Sequence, residues 1–144
     1  MCSNDCMKRE RILAVDYGAK NVGLACSDQL GVTVRPLVSI PNRGRRRLLV
    51  ELKSAVQEHD IGELVVGIPL NMDGSSGDAA RNAEHFIETL HSELGLPLKG
   101  IDERLSTLEA LELWKSMSSK QRRRYRTVDS LAAALILERY LQES

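Results

Sequence analysis

The sequence predicts an α/β domain built from five strands and four helices. Two strongly apolar runs, ILAV at residues 12–15 and IGELVVGI at residues 61–68, are typical of strands that are buried on both faces. Elsewhere, apolar residues recur at the three- and four-residue spacing of amphipathic helices. With 144 residues, of which 42% are hydrophobic, the chain has the size of one ordinary domain and can bury a sizeable core.

The first half of the chain is predicted to contain three strands and one helix after a flexible tail over residues 1–10. The first strand ends at Asp16, and the alternation over residues 22–26 suits a second strand that runs antiparallel to the first. A third strand is expected at residues 34–40, before a proline. The helix over residues 45–59 carries leucines and valine along one face. Residues 11–144 are therefore expected to form a single domain.

The second half is predicted to alternate helix and strand and then to close with two helices. After the strand at residues 61–68, a helix covers residues 78–94 and a short strand covers residues 98–101. A capping box formed by Ser106 and Glu109 opens the next helix. Residues 116–127 are polar and basic without an apolar stripe, so they are expected to form a mobile loop before the last helix.

Composition argues against several classes of protein. Aromatic residues make up 3% of the chain, which disfavours stacking of bases on aromatic platforms. Three cysteines do not form a disulfide framework, and neither a signal peptide nor an apolar run long enough to cross a membrane is present. The sequence has no GxxxxGK[ST] phosphate-binding loop. We therefore expect a cytoplasmic protein with no membrane partner.

Basic residues are clustered although the formal net charge is zero. One cluster lies at residues 43–47. The other consists of Lys120, Arg122, Arg123, Arg124 and Arg126. A single run of this kind is usually a solvated surface. Two runs, in a chain with acidic residues at its strand ends, make contact with a phosphate backbone more plausible.

Acidic residues occur where the predicted strands and the last helix end or begin. Asp16 ends the first strand, Asp102 and Glu103 follow the fifth, and Asp129 lies in the first turn of the last helix. If strands one, four and five are parallel neighbours, their carboxyl ends share the edge where open α/β sheets bind ligands. Each residue alone has an ordinary role in a turn or a helix start. Three carboxylates gathered there would repel one another without a cation, and such oxygen ligands suit Mg²⁺ or Mn²⁺.

At these positions the chain resembles the YqgF family of RuvC-like proteins, described both as Holliday junction resolvases and as nucleases that mature small-subunit ribosomal RNA. The motifs that carry the resemblance are DYGAKNVGLACSD (16–28), VVGIPLNMDGSSGDAA (65–80), DERLSTLEA (102–110) and VDSLAAALIL (128–137). The resemblance implies a ribonuclease H-like fold, a five-stranded mixed sheet flanked by helices. It also implies that Asp16, Glu103 and Asp129 are the catalytic, metal-binding set, and so favours Glu103 over Asp102.

The leading hypothesis is a metal-dependent endonuclease that acts on structured nucleic acid, with precursor 16S ribosomal RNA favoured as the substrate by the resemblance. Phosphates would be held by Lys20, Arg104, Arg122, Arg123, Arg124 and Arg126. The family usually has a basic residue where this chain has Asn21, so that either a backbone contact is lost there or Lys20 replaces it. We expect a monomer or a weak homodimer.

Three alternatives remain open at this point. The first is a resolvase acting on branched DNA, and the second is a non-catalytic RNA-binding module for ribosome assembly. The third is a sugar kinase or ATPase, because a D-x-G after a first strand also opens the actin-like fold. That fold clamps its nucleotide between two domains, and 144 residues supply one.

Overall fold

Five strands form one mixed sheet in the computed structural model of the chain, in the order β3-β2-β1-β4-β5. The structure describes residues 10–18, 20–68, 77–102 and 104–143, without the side chains of residue 79 and residues 104–107. The strands are β1 (Arg11–Tyr17), β2 (Asn21–Ser27), β3 (Val34–Pro41), β4 (Ile61–Ile68) and β5 (Leu98–Asp102). Residues 1–9 of the predicted tail lie outside the described residues.

The pairing of the strands confirms the predicted arrangement. β1 runs antiparallel to β2 and parallel to β4, and β4 runs parallel to β5. β3 completes the sheet as the antiparallel neighbour of β2. The carboxyl ends of β1, β4 and β5 therefore lie along one edge of the sheet, as expected for adjacent parallel strands.

Five helices are present in the described part of the chain. They are α1 (Arg45–Glu58), α2 (Asp78–Leu94), α3 (Arg104–Ser116), α4 (Ser119–Tyr125) and α5 (Val128–Glu143). None of them combines the length and the apolar character needed to span a bilayer.

The two faces of β1 are covered by different helices because successive side chains of a strand point to opposite faces. Leu13 and Val15 belong to a large core that includes Leu48 of α1 and Phe86 of α2. Ala14 lies on the other face and packs against α5. Four of the five buried residues of that second core are alanines, Ala14 and Ala25 on the sheet and Ala133 and Ala134 on the helix, and the fifth is Leu137. Small side chains allow α5 to lie close to the sheet.

Two predictions for the last third of the chain are wrong. Residues 119–125, expected within a mobile loop, form α4, which begins with a capping box between Ser118 and Gln121. Because α4 lacks an apolar stripe, the spacing of apolar residues in the sequence does not predict it. α3 begins at Arg104, so Ser106 lies inside the helix and is not its N-cap. The S-x-x-E pattern is common within helices as well, and the pattern alone does not locate the helix start.

Candidate active site

Asp16 lies near the end of β1 on the face that α5 covers, and it is 9% exposed. Its partner on β2 is Gly23 and its partner on β4 is Gly67. Paired residues point to the same face of a sheet. The carboxylate therefore has a residue without a side chain on each side, and the space above the sheet at this point is available to other groups.

Asp129 reaches this space because the first turn of α5 lies directly on Gly23. A Cβ atom built on Gly23 would overlap the carbonyl oxygen of Asp129 and lie 2.9 Å from the backbone nitrogen of Ser130. The missing side chain of Gly23 therefore allows the close approach of this backbone. The main chain of α5 therefore enters the site beside Asp16.

Two hydroxyl groups hold this first turn in place. The backbone N–H of Ser130 donates to Oγ1 of Thr127 over 3.0 Å, so Thr127 is the N-cap of α5. The buried hydroxyl of Ser130 donates to the carbonyl oxygen of Leu37 on β3 over 2.6 Å. The predicted helix start near Thr127 is confirmed, but nothing in the sequence indicates the contact between Ser130 and Leu37, which are 93 residues apart.

The electrostatics of the site show that the two aspartates interact. The pKa of Asp129 is raised, first because burial disfavours its charged form and second because the negative charge of Asp16 lies nearby. Two carboxylates that repel each other in a partly desolvated site form a suitable donor set for a hard divalent cation. The described part of the site thus fits such an ion with two carboxylate ligands.

Asp102 and Glu103 were both candidates for a third ligand. In the sheet, Asp16 pairs with Gly67, and Gly67 pairs with Ile101, so these three residues share one face. Asp102 follows Ile101 and therefore belongs to the opposite face. Glu103 lies outside the described residues. Among the residues that the structure does describe, no group of three metal-binding side chains is found.

The predicted basic residues occupy different environments. Arg122 is engaged within the protein: its Nε donates to the carbonyl oxygen of Trp114 over 2.9 Å, and its guanidinium lies 5.1 Å from the centre of the indole ring. Arg123 and Arg124 are exposed on α4, and Lys20 is exposed in the turn between β1 and β2. The side chain of Arg104 is outside the described part of the structure.

Arg126 connects α4 and α5, with a φ of 72° that is unusual for a residue with a side chain. It lines a cavity of about 360 Å³ between β3 and α1, together with Arg35.

A model of the RuvX Holliday junction resolvase family matches residues 10–143. The chain belongs to this family. The match confirms the resemblance seen in the motifs. A relative from Lachnospira eligens is 38% identical over 135 residues, covering 92% of this chain and 96% of the relative. A relative from Moorella thermoacetica is 40% identical over 131 residues, covering 91% and 94%. Both relatives carry the name "Putative pre-16S rRNA nuclease".

Solved structures place the RuvX-family chain in the ribonuclease H-like fold, as predicted. RuvC of T. thermophilus, solved with a Holliday junction substrate, superposes with a TM-score of 0.57 at 13% identity, covering 94% of this chain and 97% of RuvC. The Holliday junction resolvase of fowlpox virus superposes with a TM-score of 0.58 at 13% identity, covering 93% and 99%. At this level of identity the likeness concerns the fold alone.

Proposed function

We propose that this RuvX-family protein is a divalent-metal-dependent endonuclease that cleaves precursor 16S ribosomal RNA. The observation that carries the proposal is the convergence of Asp16 and Asp129 at the carboxyl edge of β1, where the pKa of Asp129 is raised by burial and by the charge of Asp16. A site that gathers negative charge in this way costs stability unless a cation occupies it. Within the ribonuclease H-like fold, this favours phosphodiester hydrolysis.

Asp16, Glu103 and Asp129 are the proposed ligands of Mg²⁺ or Mn²⁺. Glu103 is chosen because the family resemblance assigns it and because Asp102 belongs to the face of the sheet opposite Asp16. When bound, such ions activate water and stabilise the charge on the leaving oxygen. The protein's own part is to hold the carboxylates at fixed positions, Asp16 by the sheet and Asp129 by the capped first turn of α5.

The substrate backbone is proposed to lie across Lys20 and the exposed face of α4. Lys20, Arg123 and Arg124 are exposed cations, and Arg104 and Arg126 are the further candidates. We propose that Arg122 supports the structure of α4 and does not itself bind a phosphate, because its guanidinium already contacts Trp114. With 3% aromatic residues, the chain is suited to reading shape and backbone charge, not to stacking bases.

Cleavage of branched DNA is the second candidate function. The family description names Holliday junction resolvases, and RuvC was solved with that substrate. We favour ribosomal RNA because the relatives at 38% and 40% identity are both named as nucleases of the 16S precursor. Because ribosomal RNA precursors are processed in the cytoplasm, we propose that compartment for this protein.

The test is a cleavage assay on a precursor 16S fragment and a four-way DNA junction, each with Mg²⁺, Mn²⁺ or a chelator. Asp16→Asn controls for contaminating nuclease, and Asp78→Asn, at the exposed start of α2, is the matched control. We expect metal-dependent cuts in the RNA that Asp16→Asn abolishes and Asp78→Asn retains. Cleavage of the junction alone would favour the resolvase function. RNA binding without cleavage would contradict the nuclease function and favour an assembly module.

A further inference from the structure

The turn between β1 and β2 carries Lys20 four residues after Asp16. The turn is tight: a Cβ atom built on Gly18 would overlap the carbonyl oxygen of Asn21, so a glycine is required there. Lys20 itself is exposed. The position of its backbone determines which phosphates its flexible side chain can reach.

Asn42, directly after β3, holds both sides of this turn. Its side-chain amide Nδ2 donates to the carbonyl oxygen of Gly18 over 2.9 Å. Its backbone N–H donates to the carbonyl oxygen of Lys20 over 2.8 Å, which extends the β2–β3 ladder beyond the pair of Asn21 and Pro41. The remaining side-chain oxygen of Asn42 accepts the N–H of Gly44 over 3.3 Å.

These contacts divide into one that depends on the side chain and one that does not. The bond to the carbonyl of Lys20 comes from the main chain, so it survives replacement of the side chain. The bond to the carbonyl of Gly18 requires the amide donor of Asn42. The half-buried Asn42 thus ties the end of β3 to the segment that leaves Asp16, and it fixes where the Lys20 side chain begins.

We propose that Asn42 is a positioning residue that orients Lys20 toward a phosphate of the substrate beside Asp16. The inference rests on the proposed function, because it takes the ligand of Lys20 to be a nucleic-acid backbone. Asn42 contacts no reacting group, and its effect on binding passes through Lys20.

A double-mutant cycle on binding tests the inference. The probe is a single-stranded RNA oligonucleotide with a chelator present, so that neither metal binding nor cleavage contributes. Loss of one phosphate contact lowers the salt slope by about 0.7, which is roughly fivefold weaker binding at about 0.1 M salt. Lys20→Ala should show that full loss, and Asn42→Ala should show about two- to fivefold weaker binding with a smaller salt slope. The double variant should bind no worse than Lys20→Ala alone.

Two further variants separate positioning from general loss of structure. Asn42→Leu keeps the approximate size of the side chain without adding a charge but loses the donor to Gly18, so it should weaken binding about as much as Asn42→Ala. Asn82→Ala, exposed on α2, should bind as the wild type does. Thermal unfolding of each variant confirms that it is folded at the assay temperature.

The outcomes separate the inference from the proposed function. If Lys20→Ala weakens binding while Asn42→Ala does not, or if the two losses multiply in the double variant, the positioning role is overturned and the nuclease proposal stands. If Lys20→Ala binds the RNA as tightly as the wild type does, Lys20 makes no phosphate contact and the positioning role of Asn42 is overturned as well. Metal-dependent cleavage by the wild type would still support the nuclease function in that case.

Discussion

The backbone carbonyl of Asp129 lies against Gly23, the residue of β2 that pairs with Asp16 in the sheet. The small size of this one residue therefore determines how close the first turn of α5 comes to the strand that carries Asp16. The separation of the two carboxylates depends on main-chain packing as well as on their own side chains. Residues that contact neither metal nor substrate should consequently change the site.

Gly23→Ala should disrupt the site through this packing. The added methyl group meets backbone atoms of Asp129 and Ser130, which cannot swing away as a side chain can. We expect a loss of about 1–3 kcal/mol in the free energy of unfolding, as for other overpacked cores, together with weaker metal binding. Urea unfolding with and without Mn²⁺ measures both effects.

Gly100→Ala in β5 is the matched control for this substitution. Gly100 is exposed, and the nearest atom to its added Cβ would be the terminal methyl carbon of Ile68 at 2.7 Å, which can shift as a backbone atom cannot. Its stability should stay within about 0.5 kcal/mol of the wild type. Equal behaviour of the two variants would show that close approach of α5 at Gly23 is not important.

Ser130→Ala should destabilise the protein by about 1–3 kcal/mol, because it removes a buried hydrogen bond to the carbonyl of Leu37. Ser116→Ala is the control: its exposed hydroxyl donates to the carbonyl of Leu113 over 2.9 Å, and its loss should cost little. Denaturant unfolding of both variants checks the difference. If Ser130→Ala is as stable as Ser116→Ala, the first turn of α5 is not held through β3.

The arginines of α4 should separate into two functional classes. Replacing Arg123 and Arg124 together by alanine should leave stability nearly unchanged and reduce the salt slope of RNA binding by about 1.4, at about 0.7 per contact. Arg122→Ala should instead lower stability, because its guanidinium packs on Trp114 and bonds to the carbonyl of that residue. Salt titrations and melting curves of both variants distinguish the classes, and the reverse pattern would contradict the assignment.

The strands are predictable because the patterns of apolar residues that indicate them lie within each strand. The apolar runs of β1 and β4 are unbroken, and the predicted strands match those of the structure closely, although β1 continues one residue past its predicted end at Asp16. Topology predicted that β1, which carries Asp16, ends at the edge shared by neighbouring parallel strands. The approach of Asp129 depends instead on the packing of the last helix on Gly23, and helix packing is not a local property of the sequence.

What sequence reasoning missed depends on contacts between distant residues. α4 has no apolar stripe, so the periodicity of the sequence does not predict a helix there. The helix is stabilised instead by the capping box of Ser118 and by the contact of Arg122 with Trp114. The bond between Ser130 and Leu37 spans 93 residues, and Asn42 reaches a turn 24 residues before it. A serine or an asparagine with such a role looks the same in a sequence as one in an ordinary turn.

The effect of pH on stability should reveal the repulsion between the two aspartates. Because the pKa of Asp129 is raised in the folded state, the folded protein retains a proton that the unfolded chain has already released. The stability contributed by this group therefore falls as pH rises from the ordinary aspartate pKa, about 3.9, through the raised value. Asp16→Asn removes one of the two causes of the shift.

In chelator-containing buffer, Asp16→Asn should equal or exceed the wild type in stability near neutral pH. The difference should shrink as pH falls toward the ordinary pKa of an aspartate, because Asp129 then loses the charge that Asp16 repels. Urea unfolding of the two proteins across this pH range is the measurement. A variant that becomes progressively less stable than the wild type as pH rises would show that Asp16 has a favourable charged partner that outweighs the repulsion.

If Asp16 and Asp129 hold a divalent ion, adding Mn²⁺ should raise the melting temperature of the protein. An ion that binds only the folded state stabilises it by about 2.7 kcal/mol at a hundredfold excess over its dissociation constant. The wild type and the control Asp78→Asn should melt higher with Mn²⁺ than with chelator, whereas Asp16→Asn and Asp129→Asn should lose most of that difference. A full Mn²⁺-induced shift in either site variant would contradict the assignment.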